Sequence, residues 1–406
     1  KRFNDFFRCM SPLVLFMLFF STTGASAMKS NSPAADGHDS IRISLLTCAP
    51  GEEIYSLFGH TAIRYEDPAN GIDAVFNYGL FSFNTPNFIL RFSLGETDYQ
   101  LGATDYARFA AEYAFDGRSV WQQTLNLSKE EKAELIRLLQ ENYLPENRVY
   151  RYNFFYDNCA TRPRDKIEES IDGKVIYPAE PQDGSLSFRD IVHQYCKGHP
   201  WARFGIDLCI GSEADRPITQ RQMMFAPFYL MDAFAGAQIV HDSVQRPLVS
   251  GKELIVDALP EEEEGGWMPT PFQCSLLLFI LTAAATIYSI RKRTGLWGVD
   301  LILFGAAGIV GCVLAFLALF SEHPAVSSNF LLLVFHPGQL LLLPYIIYCV
   351  RKGKKCWYLT LNLVVLTLFM VLFPLIPQRF DLAVVPLALC LLIRSASNLI
   401  LTSKKK

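Results

Sequence analysis

Five long apolar segments in the C-terminal third constrain this chain more than any other feature of its sequence. They cover residues 273–290, 299–320, 330–350, 357–377 and 380–401. Each is close to the ~20 apolar residues with which a helix crosses the hydrocarbon core of a bilayer. Nearly all carboxylates precede Gly265, so the net charge of −3 averages two unlike halves. The sequence therefore predicts an all-α membrane domain of about five transmembrane helices over residues 273–406.

The charges of the connecting loops predict the orientation of these helices. Basic loops of membrane proteins face the cytoplasm, so weakly charged loops face the opposite side. Basic clusters at 291–293, 351–355 and 404–406 alternate here with weakly charged loops at 321–329 and 377–381. The latter loops should therefore share the outer side with everything that precedes the first helix. The tight turn at 377–379 leaves fusion of the last two segments into one re-entrant unit as an alternative.

The first 27 residues predict an export signal. Lys1, Arg2 and Arg8 form a basic n-region, residues 10–20 an apolar h-region, and residues 25–27 an A-x-A cleavage site. An uncleaved membrane anchor is the alternative, and either one exports the segment that follows. Signal and loop charges agree on a protein of the bacterial inner membrane whose exported domain lies in the periplasm.

Between the signal and the membrane domain the sequence predicts three parts. Residues 28–40 are a polar leader without a packing pattern, and residues 261–272 are a linker rich in acids and turn formers. The domain between them, residues 41–260, mixes strand patterns with amphipathic helices and is expected to be α+β. Strands are predicted at 41–48, 60–65, 74–78 and 149–154, and helices at 105–115, 128–143 and 159–170.

Two polar motifs in this domain carry the residues of thiol chemistry. Residues 56–64 (SLFGHTAIR) contain His60, and residues 156–162 (YDNCATR) contain Cys159. A thiolate with an imidazole base is the minimum equipment for covalent acyl transfer. A helix that begins at Cys159 would lower the thiol pKa through its dipole, and its free N–H groups could hold an oxyanion. A buried histidine and an inert core cysteine are the structural alternatives.

The remaining cysteines and histidines predict neither a metal nor a cofactor. Cys196 and Cys209 could form a disulfide in an oxidising periplasm or remain two buried thiols, and the sequence leaves both open. His193, His199 and His241 lack metal-ligand spacing, and no G-x-x-x-x-G-K-[ST] nucleotide-binding run occurs. No basic stripe is interleaved with aromatic residues, so no nucleic-acid partner is expected.

The order and setting of His60 and Cys159 resemble a known superfamily. The exported domain is similar to circularly permuted papain-like (NlpC-like) thiol enzymes, in which a strand histidine precedes a helix-borne cysteine. Asn158 before Cys159 matches the lecithin:retinol acyltransferase group among them. The chain after the signal more closely resembles the Lnb-type lipoprotein N-acyltransferases of Bacteroidetes, in both motifs and in its two-domain layout. The resemblance implies a permuted papain-like α+β periplasmic domain with Cys159 as nucleophile and His60 as general base.

A third residue usually orients the imidazole of such a pair by accepting its other N–H. Asn77, on the next predicted strand, is the first candidate and Asp73 the second, although the superfamily often has a histidine there. Tyr55 is a candidate hydrogen-bond donor to the oxyanion, and a packed aromatic is the alternative.

Polar residues beside the cysteine and in one membrane loop complete the candidate site. Asn158 offers an N-cap, and Asp157 and Arg162 are expected to fix the helix start through ion pairs rather than to touch substrate. Glu322 and His323 lie on the outer loop 321–329. Ionisable residues near a membrane are often functional, but these two can also be merely solvated.

Sequence and resemblance together predict a lipoprotein N-acyltransferase. A phospholipid would donate an acyl chain to Cys159, and the α-amine of a diacylglyceryl-cysteine lipoprotein would accept it from the thioester, without a cofactor. The alternative is a membrane-anchored peptidoglycan peptidase or amidase of the NlpC-like class, because a histidine and a cysteine alone do not define the acceptor. A third hypothesis is a scaffold or transporter with an inactive papain-like domain.

Overall fold

The structure, a computed structural model, describes residues 40–82, 86–178, 186–258 and 268–403. Four predicted segments fall wholly or mainly outside these residues: the signal peptide 1–27, the leader 28–40, most of the linker 261–272 and the basic cluster 404–406.

In the described part of the exported half, the strands are β1 (Arg42–Cys48), β2 (His60–Asp67), β3 (Ile72–Leu80), β4 (Asp98–Asp105), β5 (Val120–Leu125), β6 (Val149–Arg151), β7 (Lys174–Ile176), β8 (Gln238–His241), β9 (Val244–Pro247) and β10 (Val249–Val256). Seven of them form one antiparallel sheet in the order β10-β5-β1-β2-β3-β4-β6, and the other three form a second sheet in the order β7-β8-β9.

The helices of this half are α1 (Phe88–Leu94), α2 (Tyr106–Phe115), α3 (Lys129–Tyr143), α4 (Thr161–Ser170), α5 (Phe188–Tyr195), α6 (Pro200–Cys209), α7 (Gln220–Met223) and α8 (Pro227–Gly236). The predicted helix at 105–115 is confirmed, and so is the capping box of α3, in which Ser128 and Glu131 bond each other's backbone N–H groups. The α+β prediction for the exported half is therefore confirmed.

Strand β1 lies at the centre of the large sheet, which explains its nearly continuous apolar sequence. From Ile43 to Cys48 every residue is buried, because β2 and β5 flank the strand and helices cover both faces of the sheet. One face packs around Phe109 of α2, and the other packs on apolar residues of α3, α4 and α8. The strand predicted at 149–154 ends at Arg151, since Asn153 instead pairs with Asp157 in an isolated bridge.

In the described part of the membrane half, the helices are α9 (Pro271–Lys292), α10 (Trp297–Phe320), α11 (Pro337–Leu341), α12 (Leu343–Lys352), α13 (Trp357–Leu372) and α14 (Val384–Ser403). Four helices here are long and apolar enough to cross a bilayer, namely α9, α10, α14 and α13 with its 3-10 extension to Leu375. The all-helical prediction is confirmed, and the segment of the third predicted span, residues 330–350, is not one continuous helix.

The third span is broken into a 3-10 turn, Phe330–Leu333, followed by α11 and α12. Pro337 cannot donate a backbone hydrogen bond, so the helix cannot run through this point unchanged. The side chain of Gln339 donates to the carbonyl of Val334 at 2.7 Å and so satisfies one backbone group that the break leaves open. Gly311 of α10 permits the close approach, since a Cβ there would lie 2.3 Å from the His336 backbone nitrogen.

A buried ion pair that the sequence did not reveal links three membrane helices. Arg394 of α14 donates to both carboxylate oxygens of Asp300 on α10, at 2.6 and 2.9 Å, and to the Thr286 hydroxyl of α9 at 3.3 Å. All three side chains are buried, and the bidentate geometry compensates the cost of removing two charges from water.

The two halves meet in a polar contact that we call the junction, formed by Arg189, Asp207 and Asp215 with Gln378 and Arg379. Both halves belong to one compact unit, Ser40–Lys406. Arg379 donates to Asp215 and Asp190 at 3.0 and 2.6 Å, and Gln378 donates to the Ile210 carbonyl at 3.2 Å. Close by, the Gly211 N–H donates to the Ala325 carbonyl at 2.7 Å. The loops 321–329 and 377–381 therefore seat the exported domain on the membrane helices.

Candidate active site

His60 is the first residue of β2, and the backbone before it is specific to glycine. Gly59 has a φ of +77°, and a Cβ there would lie 2.5 Å from the Cys48 carbonyl oxygen. The His60 Nε2 atom lies 3.2 Å from Oδ1 of Asn77 on β3. The amide nitrogen of Asn77 points to the Val75 carbonyl, and an amide oxygen can only accept. Nε2 therefore carries the ring proton, and Nδ1 carries the lone pair of a base.

Cys159 lies two residues before the first residue of α4, not inside the helix as its sequence suggested. The buried side chain of Asn158 organises this start: its Oδ1 accepts from the N–H groups of Ala160 and Thr161 at 2.8 and 2.9 Å. Its Nδ2 donates to the carbonyls of Phe154 and Phe225. Asn158 thus occupies the N–H groups of Ala160 and Thr161, which were expected to hold an oxyanion. The backbone N–H of Cys159 faces the Cys159 sulfur.

The Cys159 side chain lies at the point where β2 and β3 stop pairing. Their ladder ends at the pair Ala62 and Asn77, one residue beyond Thr61. The Thr61 N–H donates a hydrogen bond to the Cys159 sulfur. The sulfur thus takes the place of an acceptor on a neighbouring strand. On β3, Gly79 has a φ of +90°, and a Cβ there would lie 3.4 Å from the Cβ of Cys159. Cys159 therefore lies against the residue that follows His60, although no hydrogen bond joins imidazole and thiol in the described chain.

Burial keeps both groups of this pair neutral near pH 7. It lowers the pKa of His60 to about 4, against a smaller opposing effect of the Asn77 hydrogen bond. It raises the pKa of the Cys159 thiol to about 11, although the N–H groups of Thr61 and Cys159 oppose that shift. The expectation of a lowered thiol pKa is therefore wrong, because the helix begins too late and desolvation dominates. Both side chains remain partly exposed, so a substrate can reach them.

Three tyrosines that the sequence analysis missed surround the thiol. Tyr99 and Tyr152 stack with ring centroids 4.1 Å apart, and the Tyr152 ring lies 3.8 Å from where a Gly79 Cβ would be. Tyr150 is only 6% exposed, and its hydroxyl has no hydrogen-bond partner among the described residues. That hydroxyl lies 4.0 Å from the same hypothetical Cβ. The tyrosines at 150 and 152 share one strand face, so the alternation of 149–154 could have flagged them.

Asp157 and Arg162 form the ion pair that was expected of them. The Arg162 guanidinium donates to both Asp157 oxygens at 2.6 and 2.8 Å. It also lies 3.5 Å above the Tyr150 ring, so the pair fixes that tyrosine as well as the helix start. Asp73, the second candidate for orienting His60, instead binds Arg64 through two hydrogen bonds at 2.9 and 2.7 Å.

The other candidate residues lie at the rim of the site. Tyr55 is 63% exposed and packs edge-on against Phe81, with ring centroids 6.1 Å apart. Glu322 and His323 contact the turn after α1 and not the thiol: the Glu322 N–H donates to the Leu94 carbonyl at 2.8 Å. Burial lowers the pKa of His323, whose ring also hydrogen-bonds the Phe92 backbone.

Cys196 and Cys209 are both free thiols in the structure, so the proposed disulfide does not form there. Cys48 is also free, and burial raises its pKa to about 12. The register pairs Cys48 with His60 across β1 and β2, which makes Cys48 a core neighbour of the site.

Fold and site together define a membrane-bound protein whose α+β domain carries a thiol and an imidazole. Two family models match this chain. The Lnb N-terminal periplasmic domain matches residues 34–183, and the Lnb transmembrane domain matches residues 262–406. The chain belongs to the Lnb family. Its α+β half is therefore a periplasmic domain and its helical half a membrane domain.

The comparison with curated proteins gives no match, and neither does the comparison with solved structures.

Proposed function

We propose that this protein is a lipoprotein N-acyltransferase that carries the acyl chain on Cys159. One observation carries the proposal: in a chain of the Lnb family, the Cys159 sulfur accepts the N–H of Thr61, next to an imidazole whose Nε2 is held by Asn77. This arrangement supplies a nucleophile, a base and an orienting group at the membrane side of the domain.

The first half-reaction would transfer an acyl chain from a phospholipid to the enzyme. His60 Nδ1 takes the thiol proton as the sulfur attacks the ester carbonyl carbon. The carbon–sulfur bond forms, the ester carbon–oxygen bond breaks, and the protonated imidazole returns the proton to the departing alkoxide. A lysophospholipid leaves, and Cys159 holds the acyl group as a thioester. Because thiol and imidazole are both neutral at rest, proton transfer accompanies the attack.

The second half-reaction would transfer the chain to a lipoprotein. The α-amine of a diacylglyceryl-cysteine attacks the thioester carbonyl while His60 accepts an amine proton. The amide bond forms, the carbon–sulfur bond breaks, and the proton returns to the Cys159 sulfur. A thioester keeps enough acyl-transfer potential to acylate an amine, and the surrounding aromatic residues restrain hydrolysis by keeping water away.

The oxyanion of both tetrahedral intermediates needs hydrogen-bond donors close to the Cys159 sulfur. The Tyr150 hydroxyl is buried near Cys159 and has no partner among the described residues, and the Cys159 N–H faces the sulfur. We assign the oxyanion to these two donors, because Asn158 already occupies the N–H groups of Ala160 and Thr161. The Arg162 guanidinium over the Tyr150 ring makes the hydroxyl a stronger donor.

Mass spectrometry of lipoprotein N-termini tests the proposal in a host that lacks its own N-acyltransferase. Cells with the intact chain should carry triacylated lipoproteins, and cells with Cys159→Ser should carry diacylated ones. The matched control is Cys209→Ser, which removes another partly exposed free thiol and should leave triacylation intact. Unchanged triacylation in the Cys159→Ser cells would refute the thioester route.

The purified chain offers a second, direct measurement. Incubated with phospholipid, it should gain one acyl mass at Cys159 that hydroxylamine removes, and the Cys159→Ser variant should not gain a hydroxylamine-labile mass. Hydrolysed peptidoglycan stem peptides without any acyl-enzyme would instead favour the peptidase or amidase.

A further inference from the structure

Helix α1 presents a continuous apolar surface next to the active site. Five of its seven residues are large and apolar, and none of them is buried. Ile89 is 80% exposed, and Leu90 and Phe92 are exposed as well. Isolated exposed apolar residues are ordinary, but a contiguous patch on a helix marks a surface that something covers.

The patch continues onto two neighbouring loops. Leu80 at the end of β3 is exposed, and so are Ile54 and Tyr55 in the segment before His60. Tyr55 packs on Phe81, and the ring of Phe81 stacks on Phe88 of α1 with centroids 5.6 Å apart. We call the exposed set the membrane lip; it comprises Ile54, Tyr55, Leu80, Ile89, Leu90 and Phe92.

Helix α1 is fastened to the outer end of a membrane span. The Leu94 carbonyl accepts the Glu322 N–H at 2.8 Å, two residues after the end of α10. Gly95 has a φ of +77°, and a Cβ there would lie 3.3 Å from the Cβ of Glu322. The ring of His323 hydrogen-bonds the Phe92 backbone and lies 6.4 Å from the Phe92 ring.

The length of α10 indicates how far from the centre of the membrane α1 is attached. Its 24 residues extend roughly 36 Å, slightly more than the ~30 Å hydrocarbon core. Leu319 and Phe320 at its end are exposed, as lipid-facing residues are. Helix α1 therefore lies at the boundary between headgroups and acyl chains.

An aromatic row leads from the lip to the thiol. Phe88 stacks on Phe81, the Phe81 and Tyr99 centroids are 5.0 Å apart, and Tyr99 stacks on Tyr152 at 4.1 Å. Tyr152 lies beside Gly79, which contacts Cys159. The one charged side chain of α1, Arg91, donates to Asp98 and to the Glu96 carbonyl, so the row carries no unpaired charge of α1.

We propose that the membrane lip inserts into the periplasmic leaflet, and that the acyl chain of the donor phospholipid passes along this aromatic row to Cys159. The occupant of the apolar patch is then the acyl-chain layer of the bilayer, because the patch continues the lipid-facing end of α10. The entry route rests on the proposed function, whereas the insertion does not depend on it.

Tryptophan quenching tests the insertion without any activity. The full chain is reconstituted in phosphatidylethanolamine–phosphatidylglycerol vesicles whose acyl chains carry bromine, and the emission of the unsubstituted protein is subtracted. The tryptophan in Ile89→Trp should be quenched. The matched control, Ile72→Trp, replaces an isoleucine at the opposite end of the nine-residue β3, roughly 26 Å from Leu80, and should not be quenched. Equal quenching at both positions would overturn the insertion.

Kinetics of acyl-enzyme formation test the entry route. The double variant Ile89→Asp, Phe92→Asp should raise the KM for vesicle phospholipid at least about tenfold, since losing one buried apolar side chain is worth roughly that factor. Its kcat and its reaction with a short-chain, water-soluble ester should stay unchanged, as should all constants of Ile72→Asp. An unchanged KM for vesicle phospholipid would overturn the entry route. If the unsubstituted protein forms no acyl-enzyme, the proposed function fails, while quenching still decides the insertion.

Discussion

In the candidate active site two buried hydroxyls, those of Tyr150 and Thr61, have no hydrogen-bond partner in the described chain. In the junction the fully buried Arg189 uses all three of its nitrogens. They donate to Asp215 and Asp207 at 2.8 and 2.6 Å and to two backbone carbonyls. Both regions are polar and buried. The candidate active site has hydroxyl groups without a partner in the described chain, whereas Arg189 in the junction uses every nitrogen of its side chain.

This difference distinguishes a region that can bind a ligand from a region that stabilises the fold. A buried donor without a partner costs about 1–3 kcal/mol, and a ligand that supplies the missing acceptor removes that cost. A buried arginine is tolerated only when its charge is matched, as Asp207 and Asp215 match Arg189. The charges also differ: burial favours the neutral forms of His60 and Cys159, whereas the junction is made of ion pairs. In the proposed reaction the site receives charge, whereas the ion pairs of the junction hold the two halves together.

The largest expected effect is on the chemistry at the site. His60→Ala should slow acyl-enzyme formation about 10³-fold, because the neutral thiol then has no base. Intact-protein mass spectrometry over time gives the rate. His241→Ala, which removes a half-exposed imidazole elsewhere in the periplasmic domain, is the control and should react normally. A His60→Ala protein that reacts at the normal rate would mean that the thiol ionises without this imidazole.

The next effect is on the stability of the junction. Arg189→Met should destabilise the protein by about 3–5 kcal/mol, because it leaves the buried Asp207 without its arginine and the buried Asp215 with Arg379 as its arginine partner. The melting temperature in detergent measures the loss. Arg216→Met is the control and should change little, since Arg216 is exposed and pairs with Glu213 one turn away. Equal melting temperatures for the two variants would show that the junction is not a stabilising contact.

A smaller effect is expected from removal of the Tyr150 hydroxyl. Tyr150→Phe should lower kcat about 100-fold through loss of an oxyanion donor, without raising KM. Its melting temperature should not fall, because the hydroxyl has no partner to lose among the described residues. Tyr65→Phe, whose hydroxyl bonds Asp67, is the control and should keep full activity. A normal kcat in Tyr150→Phe would remove this tyrosine from the mechanism.

The junction also contains a pair for which only a slight effect is expected. The Arg379 side chain is half exposed, although it bonds Asp190 and Asp215. Arg379→Gln should therefore cost less than about 1 kcal/mol, since solvent screens exposed pairs. A loss as large as that of Arg189→Met, in the same melting experiment, would mean that the loop 377–381 carries the junction.

The smallest change is expected when pH is lowered from 7 to 5. With the His60 pKa near 4, the reactive neutral form still dominates at pH 5, and the rate of acyl-enzyme formation should fall by only about a tenth. The rate is then lost as the pH falls through about 4. An imidazole with the ordinary pKa of 6.5 would slow the reaction about 25-fold between pH 7 and pH 5. A decline of that size would show that burial does not control this histidine.

Local patterns in the sequence were enough for the strands at the centre of the sheet, for α2 and for the capping box of α3. These elements follow from alternation, helical periodicity and a capping signal, which act within a few residues. The same patterns failed at the third span, since apolar length alone does not reveal the break at His336 and Pro337. They failed again at Cys159, because Asn158 satisfies the first N–H groups from a position before the helix and delays its start.

The pairing of Asn77 with His60 was suggested by the order of strands, and the structure joins the two at 3.2 Å. Tyr150 and Arg394 were not suggested, because their partners are distant in sequence: Arg394 meets Asp300 on another helix, and Tyr150 meets the thiol through β3. The local sequence shows which residues are present, but it does not show which distant residues become neighbours in the folded chain.

By itself the sequence determined that the chain has a polar exported half and an apolar membrane half, and that a histidine and a cysteine are its best candidates for chemistry. Composition and charge suffice for that, because transfer into a bilayer depends on summed apolar length and not on packing. The tertiary structure alone decided that burial favours the neutral thiol, that the thiol lies against Thr61, that the Tyr150 hydroxyl has no partner among the described residues, and that α1 is fastened to the end of α10. Those properties come from desolvation and from contacts between distant segments, which exist only after the chain has folded.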